Sequence, residues 1–234
     1  MKDTTGIAGI LCGIADLAGA EVMAVYGTEF ASVVKDDASP LTEADLRADA
    51  VIREGLARHF PGVPVVSEES LPAALPPAGG AYFLVDPLDG TKEFVAKTDQ
   101  FTVNIALVEG GDVVAGVVLA PALGELFYAA VGKGAFRRDA GGTRAIRAGR
   151  YEPQRPLRIV GSRSHGGARL ADWLVALPVP REFTPAGSSL KFCRVAEGAA
   201  DLYPRLGPTC LWDTAAAQCV LEQAGGGVTD LAGL

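Results

Sequence analysis

Hydrophobic residues recur at helical spacing from about Asp3 to Tyr26, and the acidic residues Asp3, Asp16 and Glu21 interrupt that run, which predicts an amphipathic core helix. A loop carrying KDDASP follows. Thr42 then precedes EADLRADAVIREGLARHF, a second helix that ends before Pro61-Gly62. VPVVSEES reads as a short strand, Leu71 to Gly80 as a Pro/Ala loop, and AYFLVD as a buried strand running into VDPLDGTKEF. From Phe101 to Arg138, β-branched runs broken by Gly-Gly, Pro and Gly predict an antiparallel meander.

The second part of the chain has a different texture. A polar stretch, Asp139 to Pro156, reads as a connection between two lobes, residues 1–150 and 151–234. After it come a strand at LRIVGSRS, helices at HGGARLADWLVAL and SSLKFCRVAEG, and a strand at ADLYPRL. WDTAAAQCVLEQAGG is a helix that ends in glycines, and GVTDL starts a last strand. Helices alternating with strands predict an α/β (α+β) fold. The chain contains no internal repeat.

Composition narrows the function. With 234 residues and 49% hydrophobic content the chain can bury a full core, and its net charge of −7 argues against nucleic acid as a partner. Uninterrupted apolar runs fall short of a membrane span, so the reading is of a cytoplasmic protein. Cys12, Cys193, Cys210 and Cys219 lack C-x-x-C spacing and are expected as buried thiols.

The chemistry lies in the acidic positions. Asp45 opens the second helix, Glu68 and Glu69 follow a strand, Asp86 and Asp89 follow another, and Asp213 opens a helix. Side chains at element ends can converge. An oxygen-only set without histidine or cysteine suits a hard cation, Mg2+, which also takes phosphate oxygens. Gly90 and Thr91 would open a short helix whose backbone N–H groups can hold a phosphate. Taken singly, D-P-x-D-G is an ordinary turn, the glutamate pair a solvated loop, and Asp45 and Asp213 helix-start residues. Their joint occurrence carries the reading.

VSEES, VDPLDGTKEF and WDTAA, in that order, resemble the metal-binding motifs of the lithium-sensitive, magnesium-dependent phosphomonoesterases that include inositol monophosphatase. More narrowly, KDDASPLTEAD, DGTKEF with FTVNIALVEGG, GSRSH and GSSLKFCRVAEGAADLYPRLGPT resemble the 3'(2'),5'-bisphosphate nucleotidase branch. The resemblance implies a layered αβαβα sandwich of the inositol monophosphatase/fructose-1,6-bisphosphatase type. It implies Mg2+-dependent hydrolysis of the 3'-phosphate of adenosine 3',5'-bisphosphate to AMP, with the related phosphosulfate nucleotide also accepted. Two or three Mg2+ ions would be held by Glu68, Asp86, Asp89, Asp213 and the Leu88 carbonyl, and Li+ would inhibit. Asp45, Glu68 and Thr91 would activate water, and the Gly90 and Thr91 amides would hold the scissile phosphate. His165, Ser188, Lys191 and Arg205 would bind the second phosphate, the two cations supplying charge that an acidic protein otherwise lacks. Many relatives dimerise, so a homodimer belongs to the same expectation.

Two departures stand out. Ala217 in WDTAAAQ replaces a glycine common in such helices, and the chain stops at Leu234 where relatives continue. The rival readings are the same chemistry on inositol phosphate or fructose 1,6-bisphosphate, and a non-catalytic nucleotide- or metal-binding protein.

Overall fold

A computed structural model describes residues 4–29, 31–34, 40–72, 76, 79–162 and 167–233. Helix α1 (Thr4–Tyr26) and helix α2 (Glu43–His59) precede the main sheet. Strands β1 (Ser32–Val34) and β2 (Pro40–Thr42) form a small antiparallel pair between them. The sheet consists of β3 (Val65–Ser67), β4 (Ala81–Asp89), β5 (Thr102–Glu109), β6 (Asp112–Ala120), β7 (Glu125–Ala130), β8 (Gly134–Asp139) and β9 (Gly142–Ile146), ordered as in the chain. Only β3 and β4 run parallel; the rest form the antiparallel meander that the glycine punctuation predicts. A short helix α3 (Thr91–Val95) separates β4 from β5.

The two faces of the sheet are divided by residue parity. Phe83, Val85, Ile105, Leu107, Val117 and Leu119 join one core with α1 and α2, whereas Leu84, Ala106, Val108 and Val118 join a second core on the opposite face. That face is covered by α5 (Leu190–Ala196) and α6 (Leu211–Gln223). The strands therefore read as continuous apolar runs rather than alternating ones, because both faces are covered. Beyond α5 lies a parallel pair, β10 (Leu157–Ser162) and β11 (Arg181–Ala186), joined by α4 (Gly167–Ala176). The resulting order of layers is αβαβα. Residues on both sides of position 150 share the second core.

One contact fixes α6 on the sheet. A Cβ at Gly116 would lie 2.4 Å from the Ala216 carbonyl oxygen, so helix and strand approach at a distance only glycine permits. Ala217, 1% exposed, is packed in this core, which accommodates the methyl group that departs from the usual glycine.

Several expectations change. By length and composition Gly6–Tyr26 is apolar enough to cross a membrane, with hydropathy 1.7, contrary to the expectation that no run qualifies. Half of that window is buried in the fold, and Leu11, Ala15, Ala18 and Val22, at alternating spacings of four and three, are fully buried. The polar stretch after Asp139 contains β9, which pairs with β8 through a tight turn; its exposed residues hide the strand period. REFTPA forms β11, unmarked by any apolar run. ADLYPRL makes only a bridge from Leu202 to Ile159, since Pro204 has no N–H to extend a ladder. GVTDL forms no strand among the described residues. Cys12, Cys193 and Cys219 are buried as expected, but Cys210 is exposed at the N-cap of α6. Half of the Pro/Ala loop lies outside the described residues.

Candidate active site

Strand β4 builds most of the site. Its pairing with β5 shifts register between Asp86 and Asp89, where Pro87 cannot donate a ladder hydrogen bond, and this bulge aims both carboxylates into one cavity. The Leu88 N–H donates to Asp86 Oδ1 at 3.1 Å. Gly90, at φ +89°, reverses the chain into α3, and a Cβ there would meet the Gln100 carbonyl at 3.2 Å and the Ser188 Cβ at 3.3 Å. Five residues cannot hold a helix alone. Phe94 pins α3 by packing at 5.0 Å from the Tyr26 ring and 5.1 Å from the Phe101 ring, burial that contributes about 1.5–3 kcal/mol.

Other elements deliver the remaining carboxylates. Glu68 leaves the end of β3, and Asp49 on α2 anchors its loop by accepting from Ser67 Oγ at 2.6 Å and Ser70 Oγ at 2.8 Å. Asp213 occupies the first turn of α6, where its Oδ2 accepts from Thr209 Oγ1 at 2.8 Å and the Cys210 N–H at 3.0 Å. Carboxylate oxygens of Glu68, Asp86 and Asp213 lie within 4.8 Å of one another. Asp89 lines the same cavity but turns Oδ2 toward Ser189, accepting from its N–H at 2.5 Å and its Oγ at 2.8 Å. Burial pushes the Asp86 pKa well above the ordinary carboxylate value, and the charges of Asp89, Glu68 and Asp213 raise it further. Burial also raises Asp89, against the pull of Lys191. Clustered, desolvated, oxygen-only donors fit a hard divalent cation, which would relieve this repulsion.

Asp45 is 1% exposed. Its Oδ2 accepts from the Thr42 N–H at 2.8 Å and Thr42 Oγ1 at 2.7 Å, while Thr91 Oγ1 lies 3.5 Å from its Oδ1 and 3.1 Å from the Leu88 carbonyl. Thr91 thus links Asp45 to the cavity.

The structure brings Ser188, Lys191 and Arg205 to the same cavity, about 210 Å³ in volume, as Glu68, Leu88 and Gly90. Lys191 is 4% exposed; burial lowers its pKa, while Asp89 and Glu93 hold it up. Its Nζ donates to the Ser188 carbonyl at 2.5 Å. Arg205 donates to the Pro208 carbonyl at 2.6 Å, and its buried Nε has no hydrogen-bond partner among the described residues. Ser189, rather than Ser188, is the N-cap residue of α5, and Ser188 holds a left-handed φ of +48°. His165 lies outside the described residues.

Three further residues belong to the site. Glu93 is buried in the cavity wall. Asn104, a lone amide in the apolar run TVNIALV, donates at 2.9 Å to Ser189 Oγ, which itself lies 2.7 Å from the Asp213 carbonyl. The polar residue within an apolar strand was the available signal for Asn104; nothing local marked Ser189. Ser189→Ala is expected to lower stability by about 1–3 kcal/mol, because the buried Asn104 amide loses its acceptor and the single hydroxyl donor shared by Asp89 and the Asp213 carbonyl is removed, and thermal unfolding checks it.

This architecture defines a layered αβαβα protein with an oxygen-only carboxylate cluster, of the kind that can hold a hard cation, at the end of its central sheet. The inositol monophosphatase family model matches residues 3–234, and the chain belongs to that family. The 3'(2'),5'-bisphosphate nucleotidase CysQ of Salmonella typhimurium is 46% identical over 228 residues, covering 95% of this chain and 90% of that protein. The Escherichia coli K12 protein of the same name is 46% identical over 226 residues, with the same coverage. Among solved structures, SuhB from Bartonella henselae has a TM-score of 0.84 at 29% identity, covering 97% of this chain and 88% of its own. CysQ from Bacteroides thetaiotaomicron has a TM-score of 0.80 at 31% identity, covering 96% and 88%.

Proposed function

We propose that this chain is a magnesium-dependent 3'(2'),5'-bisphosphate nucleotidase that hydrolyses the 3'-phosphate of adenosine 3',5'-bisphosphate to give AMP and phosphate. The observation that carries the reading is the joint lining of one cavity by clustered carboxylates and by cationic side chains, Lys191 and Arg205 among them. The likeness to the CysQ nucleotidases supports it. A single phosphate needs only the metal side; the cations suit a substrate with a second anionic group.

Glu68, Asp86, Asp89, Asp213 and the Leu88 carbonyl would hold two or three Mg2+ ions, and Li+ is expected to compete there. Mg2+ bound there supplies Lewis-acid polarisation and charge neutralisation. The chain does the rest. The Gly90 and Thr91 amides, at the open start of α3, hold oxygens of the scissile phosphate. Thr91 Oγ1 accepts a hydrogen bond from the attacking water and can pass its own proton to Asp45 Oδ1. Water oxygen bonds to phosphorus as the bond to the ribose oxygen breaks, and that oxygen leaves with the bonding pair and takes a proton from solvent to become the 3'-hydroxyl of AMP. Ser188, Lys191 and Arg205 hold the 5'-phosphate. The same contacts accept the phosphosulfate nucleotide.

The test compares adenosine 3',5'-bisphosphate with adenosine 3'-monophosphate, which carries the same scissile group and lacks the 5'-phosphate. Lys191→Met is expected to reduce the ratio of kcat/KM for the two substrates by about 100-fold, the scale of a buried charge-assisted contact. An equal loss on both would remove Lys191 from second-phosphate binding.

A further inference from the structure

Lys191 and Arg205 repel each other across the cavity wall, and Arg205 adds to the burial that lowers the Lys191 pKa. Asp89 and Glu93 attract Lys191, and the Pro208 carbonyl holds Arg205, but these contacts do not join the two cations to each other. Tyr203 is placed to do so. The Lys191 ammonium sits over its ring, 5.4 Å from the centroid, where the aromatic face is electron-rich. The Arg205 guanidinium lies against its phenol oxygen, which it draws down in pKa against burial that pushes Tyr203 up to about 12. The phenol therefore stays neutral and offers both cations a negative surface without the desolvation cost of another carboxylate.

The ring is itself held rigidly. Phe192, also in the cavity wall, meets it edge-on at 5.0 Å and 87°. The backbone beside it is fixed by the Val160 N–H donating to the Leu202 carbonyl at 2.9 Å. Two residues earlier, buried Asp201 accepts from Arg155 at 2.7 Å and Arg158 at 2.8 Å, tying this segment to β10. The bridge between Leu202 and Ile159 has the same effect.

We propose that Tyr203 is the positioning residue that sets the preference for substrates bearing a second phosphate, by holding Lys191 and Arg205 side by side in the cavity wall. This rests on the nucleotidase reading above. Tyr203 touches the cations rather than the reacting phosphate, so its loss changes discrimination between substrates more than it changes the chemical step.

The experiment measures kcat and KM for adenosine 3',5'-bisphosphate and for adenosine 3'-monophosphate in the wild type, Tyr203→Phe and Tyr203→Leu, with thermal unfolding of each. The ratio of kcat/KM between the two substrates is expected to fall about tenfold in Tyr203→Leu, mostly through KM for the bisphosphate, the scale of a desolvated cation–π contact. Tyr203→Phe keeps the ring and should fall between, and it keeps the test decisive if the leucine variant does not fold. A proportional loss on both substrates, leaving the ratio at its wild-type value, would show a merely structural tyrosine and overturn the proposal. A wild type without preference for the bisphosphate would overturn the nucleotidase reading together with it, which separates the two failures.

Discussion

Asp86→Asn is expected to reduce phosphate release by on the order of 10²–10³-fold, the cost of removing one preorganised electrostatic group, and to raise the melting temperature of the metal-free protein at neutral pH. The opposite signs have one origin. Asp86 is 1% exposed, and Asp89, Glu68 and Asp213 surround it with like charge, so its ionised form destabilises the metal-free fold. Asparagine removes the charge and can still accept from the Leu88 N–H. Because the folded-state pKa lies above the unfolded value, the folded state binds more protons across the interval between them, and stability falls as pH rises through it. Below the ordinary carboxylate value both states are protonated and the penalty is absent. Mg2+ displaces the proton, so its stabilising effect should grow with pH across the same interval in the wild type. Thermal unfolding with Mg2+ and with EDTA, at several pH values, checks this. A metal-free Asp86→Asn protein melting below the wild type, with activity retained, would contradict the assignment.

Thr91→Val should lower kcat by about 10²-fold with little change in KM, and Asp45→Asn should do the same, since general acid–base assistance is worth about 10²–10⁴-fold. The shared path makes the pair non-additive. Thr91 Oγ1 lies between the Leu88 carbonyl and Asp45 Oδ1, while Asp45 Oδ2 is occupied by Thr42, so Asp45 reaches the cavity through the threonine. Once the hydroxyl is gone, further loss of the Asp45 charge has little left to remove. The double variant is thus expected to resemble either single one rather than their product, and the double-mutant cycle in kcat is the measurement. Independent, multiplying losses would separate Asp45 from Thr91. Asp45→Asn also weakens the capping box of α2, so melting temperatures accompany the kinetics.

Much of this was legible in the chain. Thr42 before EADLRADAV marked the start of α2 through its position ahead of the helical spacing, and the structure adds the capping box between Thr42 and Asp45. The meander was legible because its turns are made by glycines. Asp86, Glu68 and Asp213 converge from three elements, as expected of acidic residues at element ends. What remained hidden depends on tertiary contact. Strand β9 is exposed and carries no apolar alternation, and β11 is held by pairing with β10 rather than by its own composition. Nothing local marks Glu93 for burial; its helix is pinned by Phe94 and turns it into the cavity. Tyr203 sat in what read as a strand, and only the fold sets it under Lys191.

The most direct test is phosphate release, with Mg2+ and with an EDTA control, from adenosine 3',5'-bisphosphate, inositol 1-phosphate and fructose 1,6-bisphosphate in parallel. Mg2+-dependent release with the highest kcat/KM for the adenosine compound is expected. Preference for inositol 1-phosphate or fructose 1,6-bisphosphate would contradict the roles given to Ser188, Lys191 and Arg205, and release undiminished by EDTA would contradict the metal site itself.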